Sequence, residues 1–293
     1  MEIVLIFNGL GNQMSQYALY LSKRNLGCKV RYAYNIRSLS DHNGFELDRV
    51  FGITYPNNPF NKCINIIYRL LFAKKYLFLV QKMIYVLRQM NVYSIKEKDN
   101  YDYDYQILTR HKGIVLYYGG WHSEKYFLSN ADIIKDKFRF NISKLNSESL
   151  VLYHRLSSLN TVALHVRRGD YMAPEHYNVF GCVCGIEYYK AAIQYIQSQI
   201  LNPVFIVFSN DIEWVKENIT GIQMIFVDFN KKENSWMDMC LMSCCEHNII
   251  SNSTFSWWGA WLNNNKKKIV VCPKYFMSNI DTKDIYPESW IKI

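Results

Sequence analysis

His165-Val166-Arg167-Arg168-Gly169-Asp170-Tyr171 follows directly on the apolar run Thr161-Val162-Ala163-Leu164. Two adjacent arginines at the end of a buried strand make a poor core and a good anion clamp, because the guanidinium is a planar fork of donors matched to phosphate oxygens. Charge-assisted hydrogen bonds of this kind are worth about 1.5–3 kcal/mol each. The chain has no GxxxxGK[ST] loop and no complete GxGxxG, so Arg167 and Arg168 would carry a diphosphate themselves. The alternative is an ion pair between Arg167 and Asp170 that only braces the loop.

Ile249-Ile250-Ser251-Asn252-Ser253-Thr254-Phe255-Ser256-Trp257-Trp258-Gly259 sets hydroxyls at the mouth of an expected helix. Unpaired N–H groups and the positive end of the dipole favour an anion there, so Ser253 and Thr254 could join the arginines at a phosphate. The plainer reading is N-capping by Asn252 or Ser253, with the tryptophans in the core. Asp238, on the preceding helix, either accepts hydrogen bonds from a guanine edge or ribose or is a helix-surface carboxylate. Asn210 and Asp211 read as helix caps. Gly9-Leu10-Gly11-Asn12-Gln13 is half of a dinucleotide fingerprint, with Met14 where the third glycine would stand; it suits close approach of backbone and Asn12 to a sugar. His165 and His247 are single histidines on apolar strands and read as satisfied core residues. Neither Ser/His/Asp logic nor metal-ligand spacing is present, and Cys182-Val183-Cys184 lacks the second pair of a zinc site.

These clusters need a scaffold that delivers them to one edge. Strand patterns at 2–7, 29–34, 113–118, 161–166, 203–209, 224–227, 247–251 and 268–272 alternate with helical patterns at 12–25, 186–198, 211–217, 235–245 and 254–262, and a short helix is expected near 123–127. Strands alternating with helices imply parallel sheets, whose ligands bind beyond the carboxyl ends of the strands. Gly11-Asn12, Arg167-Arg168, Ser209-Asn210-Asp211 and Asn252-Ser253-Thr254 all follow strands, and are expected to converge on a cleft between two sheets. A polar stretch at 141–149 divides the chain into domains of residues 1–150 and 151–293.

The 293 residues are 49% apolar and 20% charged, an ordinary globular composition with a net charge of +9. Met1-Glu2-Ile3-Val4-Leu5-Ile6-Phe7 lacks the basic lead of a signal peptide, so a cytoplasmic location with reduced cysteines is expected. The charge is concentrated: residues 49–96 hold no acid and eight bases, Arg49, Lys62, Arg69, Lys74, Lys75, Lys82, Arg88 and Lys96. Lysines interrupt the apolar part of this segment too often for a spanning helix. It forms either amphipathic helices lying peripherally on an anionic membrane or a basic solvated face over core helices; no recognised module supports nucleic-acid binding.

Taken together, Gly9-Leu10-Gly11-Asn12-Gln13-Met14, His165 to Tyr171, and Asn248 to Trp261 resemble the bacterial α-1,2-fucosyltransferases of glycosyltransferase family 11, in the same order over nearly the whole chain. The resemblance implies a GT-B-like α/β fold of two Rossmann-like, doubly wound domains facing a central cleft. GDP-fucose is expected on the C-terminal domain and the acceptor on the N-terminal one. The implied reaction is inverting transfer of L-fucose to the 2-hydroxyl of a terminal galactose in a free or lipid-linked glycan, with no metal ion or other cofactor. Arg167 would stabilise the leaving GDP, and Asn12 would face the reacting sugar. His165, Arg168, Asp170, Asp238, Asn252, Ser253, Thr254 and Phe255 would surround the donor, and Gly11, Gln13, His122 and Glu124 would lie on the acceptor side. The chain departs from the family pattern at Ser15, where Phe is common, at His122, where Gln is common, and at Asn210, where Asp is common. The first two bear on acceptor choice. The proton acceptor is not identified by sequence; Glu124, His122, Asp41 and the departing phosphate are the candidates.

Overall fold

A computed structural model describes residues 1–35, 42–71 and 78–293. The chain divides into two compact units, Met1–Arg139 and Phe140–Ile293, so the division falls before the 141–149 stretch expected to hold it. The reason is local: Asn146 caps the N-terminus of a helix through the N–H of Ser149, and that helix belongs to the second unit.

The first unit runs β1 (Glu2–Ile6), α1 (Leu10–Asn25), β2 (Val30–Tyr34), α2 (Glu46–Phe51), α3 (Pro59–Leu71), α4 (Phe78–Gln89), β3 (Val92–Lys96), β4 (Ile114–Tyr118) and α5 (Ala131–Lys137). Its four strands are parallel in the order β2-β1-β4-β3. Ile3, Leu5, Ala33 and Leu116 share one face of the sheet with Ile64 of α3. β3 is absent from the sequence expectation because it is an edge strand: only Val92 is buried in Val-Tyr-Ser-Ile-Lys, so neither an apolar run nor clean alternation announces it. The helix expected near 123–127 is a single 3₁₀ turn, Glu124–Tyr126, capped by Ser123.

The second unit contains α6 (Ser147–Leu156), β5 (Thr161–Val166), the single turn α7 (Pro174–His176), α8 (Ile186–Gln199), β6 (Val204–Ser209), α9 (Ile212–Asn218), β7 (Met224–Val227), α10 (Trp236–Cys244), β8 (His247–Ile249), α11 (Thr254–Leu262), β9 (Val270–Cys272) and β10 (Ile291–Lys292). The six strands are parallel in the order β10-β9-β8-β5-β6-β7. Every residue of β5 is buried, as a strand covered on both faces requires. Val162, Leu164 and Val166 pack towards Tyr189 and Ile196 of α8, while Ala163, Ile206 and Phe208 pack towards Leu241 and Met242 of α10.

The second sheet winds outward from β5 through β6 to β7 and from β8 through β9 to β10, which creates a switch point between β5 and β8; in the first, β1 and β4 lie side by side at the centre. In open parallel sheets the crevice beyond the strand ends at such a point is where ligands bind. Among the described residues no helix is long and apolar enough to cross a membrane.

Candidate functional site

The arginine pair leaves the end of β5, and the Ser251–Thr254 segment leaves the end of its switch-point neighbour β8. His165 joins the two: its Nδ1 lies 2.9 Å from Ser251 Oγ, and its ring centroid is 5.9 Å from that of Phe255. Burial, reinforced by the positive charge of Arg167, pushes the His165 pKa down to about 3, so the imidazole is neutral near pH 7. It can position neighbours by hydrogen bonding and carries no charge to a ligand.

Arg167 and Arg168 divide their work. Arg168 Nε bonds Asp211 Oδ2 at 3.0 Å, and its guanidinium carbon sits 4.1 Å from the Trp214 ring centroid. Its backbone N–H donates to Asn210 Oδ1 at 2.9 Å. Arg168 is thus a brace between β5 and β6. Asn210, expected as a cap, instead fills the space beside Gly169, where a Cβ would come within 2.2 Å of its amide nitrogen. Asp211 does cap α9, through the N–H of Trp214.

Arg167 pairs with Asp170 through Nη2 and Oδ1 at 2.7 Å, so the loop ion pair weighed from sequence forms. The pair leaves part of the guanidinium unused: Arg167 Nε is buried with no hydrogen-bond partner among the described residues. Buried donors are rarely left unpaired, because each costs about 1–3 kcal/mol. The arrangement is that of a positive fork with donor capacity left for an anion at the switch point.

The Asn252–Phe255 segment combines capping and anchoring. Ser253 Oγ accepts from the N–H of Phe255 at 3.3 Å, which makes it the N-cap of α11. Asn252 is buried, and its amide donates to the carbonyls of Phe180 and Phe276, both at 3.0 Å. Tyr171, stacked on Phe180, donates through its hydroxyl to the Asn252 carbonyl at 3.2 Å. Asn252 is therefore a clamp on three loops. Thr254 opens the helix and is half-buried. Asp238 belongs to a second network: Asn230 Nδ2 donates to its Oδ1 at 2.9 Å, and Asn230 in turn binds Asn146 and Ser149. Burial raises the Asp238 pKa to about 7. It is not the solvated helix-surface carboxylate of the plainer reading.

In the first unit the carboxyl ends of the central strands β1 and β4 are bridged by a residue that sequence reasoning passed over. Gln16 Oε1 accepts from the N–H of Phe7 at 2.9 Å, after β1, and Gln16 Nε2 donates to Gly119 O at 3.1 Å, after β4. Gln13 is fully buried; its amide donates to the carbonyls of Asn8 and Gly44 and accepts from the N–H of Glu46, so it pins the start of α1 to α2. Gly11 is buried inside α1, whereas Asn12 is only half-buried at its first turn.

His122 is buried and its Nδ1 lies 3.2 Å from Ser15 Oγ, so two of the departures from the family pattern form one contact. Burial drives its pKa down to about 3, far from the value useful to a general base near pH 7. Glu124 is half-buried in the adjacent 3₁₀ turn. Asp41 lies outside the described residues.

The Gly119–His122 turn is gripped by Glu97, at the end of the edge strand β3. Its carboxylate accepts from the N–H of Gly120 at 2.6 Å and of Trp121 at 2.9 Å. A Cβ at Gly119 would fall 2.4 Å from that of Glu97, and one at Gly120 would fall 2.2 Å from the His122 ring. Trp121 holds the left-handed φ of 56° that closes the turn. Burial lifts the Glu97 pKa to about 7 against the pull of these N–H groups. Among the described residues no three His, Cys, Asp or Glu side chains are grouped as metal ligands.

A sequence pattern described as Glycosyl transferase family 11 matches residues 77–293. The chain is 33% identical to the O-antigen biosynthesis glycosyltransferase WbnK of Escherichia coli, over 97% of this chain and 98% of that one. It is 32% identical to an α-1,2-colitosyltransferase of Escherichia coli, over 100% and 99% of the two chains. The structure of an Arabidopsis thaliana FUT1 mutant in complex with GDP superposes with a TM-score of 0.52 at 12% identity, covering 92% of this chain and 70% of that one, which is a likeness of fold. The fold class is α/β and GT-B-like, with parallel sheets. The family match and full-length relatives agree with the motifs after β1, β5 and β8: the protein is a glycosyltransferase and belongs to glycosyl transferase family 11.

Proposed function

We propose that this glycosyltransferase moves L-fucose from GDP-fucose to the 2-hydroxyl of a terminal galactose, with inversion and without a metal ion. The observation that carries the reading is Arg167: a guanidinium at the β5–β8 switch point, with a buried Nε that no protein group satisfies. Breaking the fucosyl–phosphate bond leaves an oxocarbenium-like sugar and a GDP anion. A preorganised positive group at the β-phosphate then supplies a large share of the rate. The N-terminus of α11, with Ser253 and Thr254, adds partial positive charge on the same side. Asp238 and Phe255 are assigned to the nucleoside, and neutral His165 to holding the Ser251 and Phe255 wall. On the acceptor side, Asn12 and the turn bearing His122 and Glu124 receive the galactose. Glu124 is the described side chain assigned to take its proton.

A second reading is favoured by the full-length likeness to an α-1,2-colitosyltransferase. Colitose lacks the 3-hydroxyl of fucose and is otherwise the same sugar, so the phosphate and base contacts would serve either donor. The experiment runs GDP-fucose and GDP-colitose in parallel against a panel of β-galactosides, with and without EDTA, and assigns the new linkage by NMR. Fucose on O2 of galactose, at equal rate in EDTA, is expected. Turnover from GDP-colitose alone would replace the first reading with the second. A collapse in EDTA that Mn²⁺ reverses would overturn metal independence.

A further inference from the structure

Helices α3 and α4 are neighbours in the first unit and expose four bases, Lys62, Arg69, Lys82 and Arg88, beside apolar side chains. On α3 the exposed positions include Lys62, Ile66 and Arg69, one helical stripe, while Ile64 and Asn65 point inward. α4 and the residue after it are exposed at every position from 81 to 90 except Ile84 and Leu87. Met83, Val86 and Met90 therefore form an outward apolar strip at i, i+3 and i+7, bordered by Lys82, with Tyr85 and Arg88 further round the helix. Ile66, Met83, Tyr85, Val86 and Met90 are between 46% and 67% exposed. Lys62, Arg69, Lys82 and Arg88 make no ion pair among the described residues, and no acid occurs from residue 49 to 96 to supply one.

We propose that this face docks the protein on an anionic lipid bilayer, α3 and α4 lying in the plane of the headgroups. The charge selects an anionic partner. The apolar strip narrows the choice, because a nucleic acid would gain nothing from Met83, Val86 and Met90, whereas a bilayer takes apolar side chains at the acyl boundary and bases at the headgroups. Helices of 13 and 12 residues are too short to span the bilayer and long enough to lie on it. The inference concerns where the protein works and does not depend on its donor or acceptor.

The test is co-sedimentation of the full chain, without substrate, with vesicles of phosphatidylcholine alone or containing phosphatidylglycerol. Binding is expected only with phosphatidylglycerol and is expected to weaken as salt rises. Each base near such a surface contributes about fivefold to partitioning, so Lys82→Gln with Arg88→Gln should weaken binding about 25-fold. Met83→Ser, Val86→Ser and Met90→Ser together should weaken it even at low salt. All five positions are exposed, so circular dichroism and transfer to a soluble acceptor should match wild type; if that transfer is absent in wild type too, the proposed reaction fails separately. Wild-type protein left in the supernatant, or variants that sediment like wild type, would overturn the docking surface. So would binding to an oligonucleotide at least as tight as to the vesicles, and indifferent to the serine variants.

Discussion

In the proposed function the Arg167 guanidinium serves two partners. Its Nη2 is spent on Asp170, a half-exposed carboxylate, and its Nε is buried and unpaired. The first contact is a surface ion pair worth about 0–1 kcal/mol. In the proposed function the second group is completed by the donor's diphosphate. Arg167→Ala should therefore lower kcat about 10²–10³-fold, the range seen when one preorganised donor to a developing anion is lost. The urea midpoint of unfolding should hardly move. Stopped assays on the purified variant, with the denaturation curve beside them, decide it: turnover near wild type would remove Arg167 from the mechanism. Arg168 differs, although sequence places the two side by side; its bond to Asp211 and its stacking on Trp214 make it part of the frame. That division could not be read from Arg-Arg, because the residues that occupy Arg168 come from the end of β6, over forty positions downstream. Ser15 and His122 teach the same lesson, two unrelated departures in sequence and one hydrogen-bonded pair in space.

At the scale of elements, what was legible is what periodicity encodes. β5 and α11 fall where the sequence pattern places them, because a strand buried on both faces and a helix with a capped start leave strong local signals, and the edge strand β7 is announced by its unbroken apolar run Met-Ile-Phe-Val. The edge strands β3 and β10 left none, one mostly unburied and the other two residues long. Missing β3 also hid Glu97, whose role exists only once β3 lies beside β4 and its carboxylate meets the Gly119–His122 turn. This carboxylate gives the turn a pH signature. Burial raises its pKa from the ordinary 4.5 to about 7, so between those values the folded chain holds a proton that the unfolded chain has released. Stability from this group accordingly falls as pH rises from about 4.5 to about 7, by a few kcal/mol. Glu97→Gln cannot titrate. It should be the less stable protein at pH 4.5, where it loses the carboxyl geometry, and the gap to wild type should narrow by pH 7.5. Urea unfolding of both proteins across that range measures the gap; a constant gap would mean that Glu97 titrates normally.

The molecule as a whole is two parallel-sheet units, with polar residues gathered at the carboxyl ends of the central strands of each. The proposed function assigns donor chemistry to the second unit, to which the charged fork, the α11 N-terminus and Asp238 all belong. GDP should then stabilise that unit in particular. A ligand that binds only the folded site, present at about a hundred times its Kd, stabilises by about 2.7 kcal/mol, which slows exchange about 100-fold for amides whose opening releases it. Hydrogen exchange followed by mass spectrometry, with and without saturating GDP, should show the added protection at residues 161–171 and 249–257, while β1 and α1 exchange as before. Arg167→Ala should erase much of that difference without altering exchange in the GDP-free protein away from its own loop. Protection gathered instead around Phe7 to Gln16 would put the nucleotide on the first unit and reverse the assignment of donor and acceptor sides.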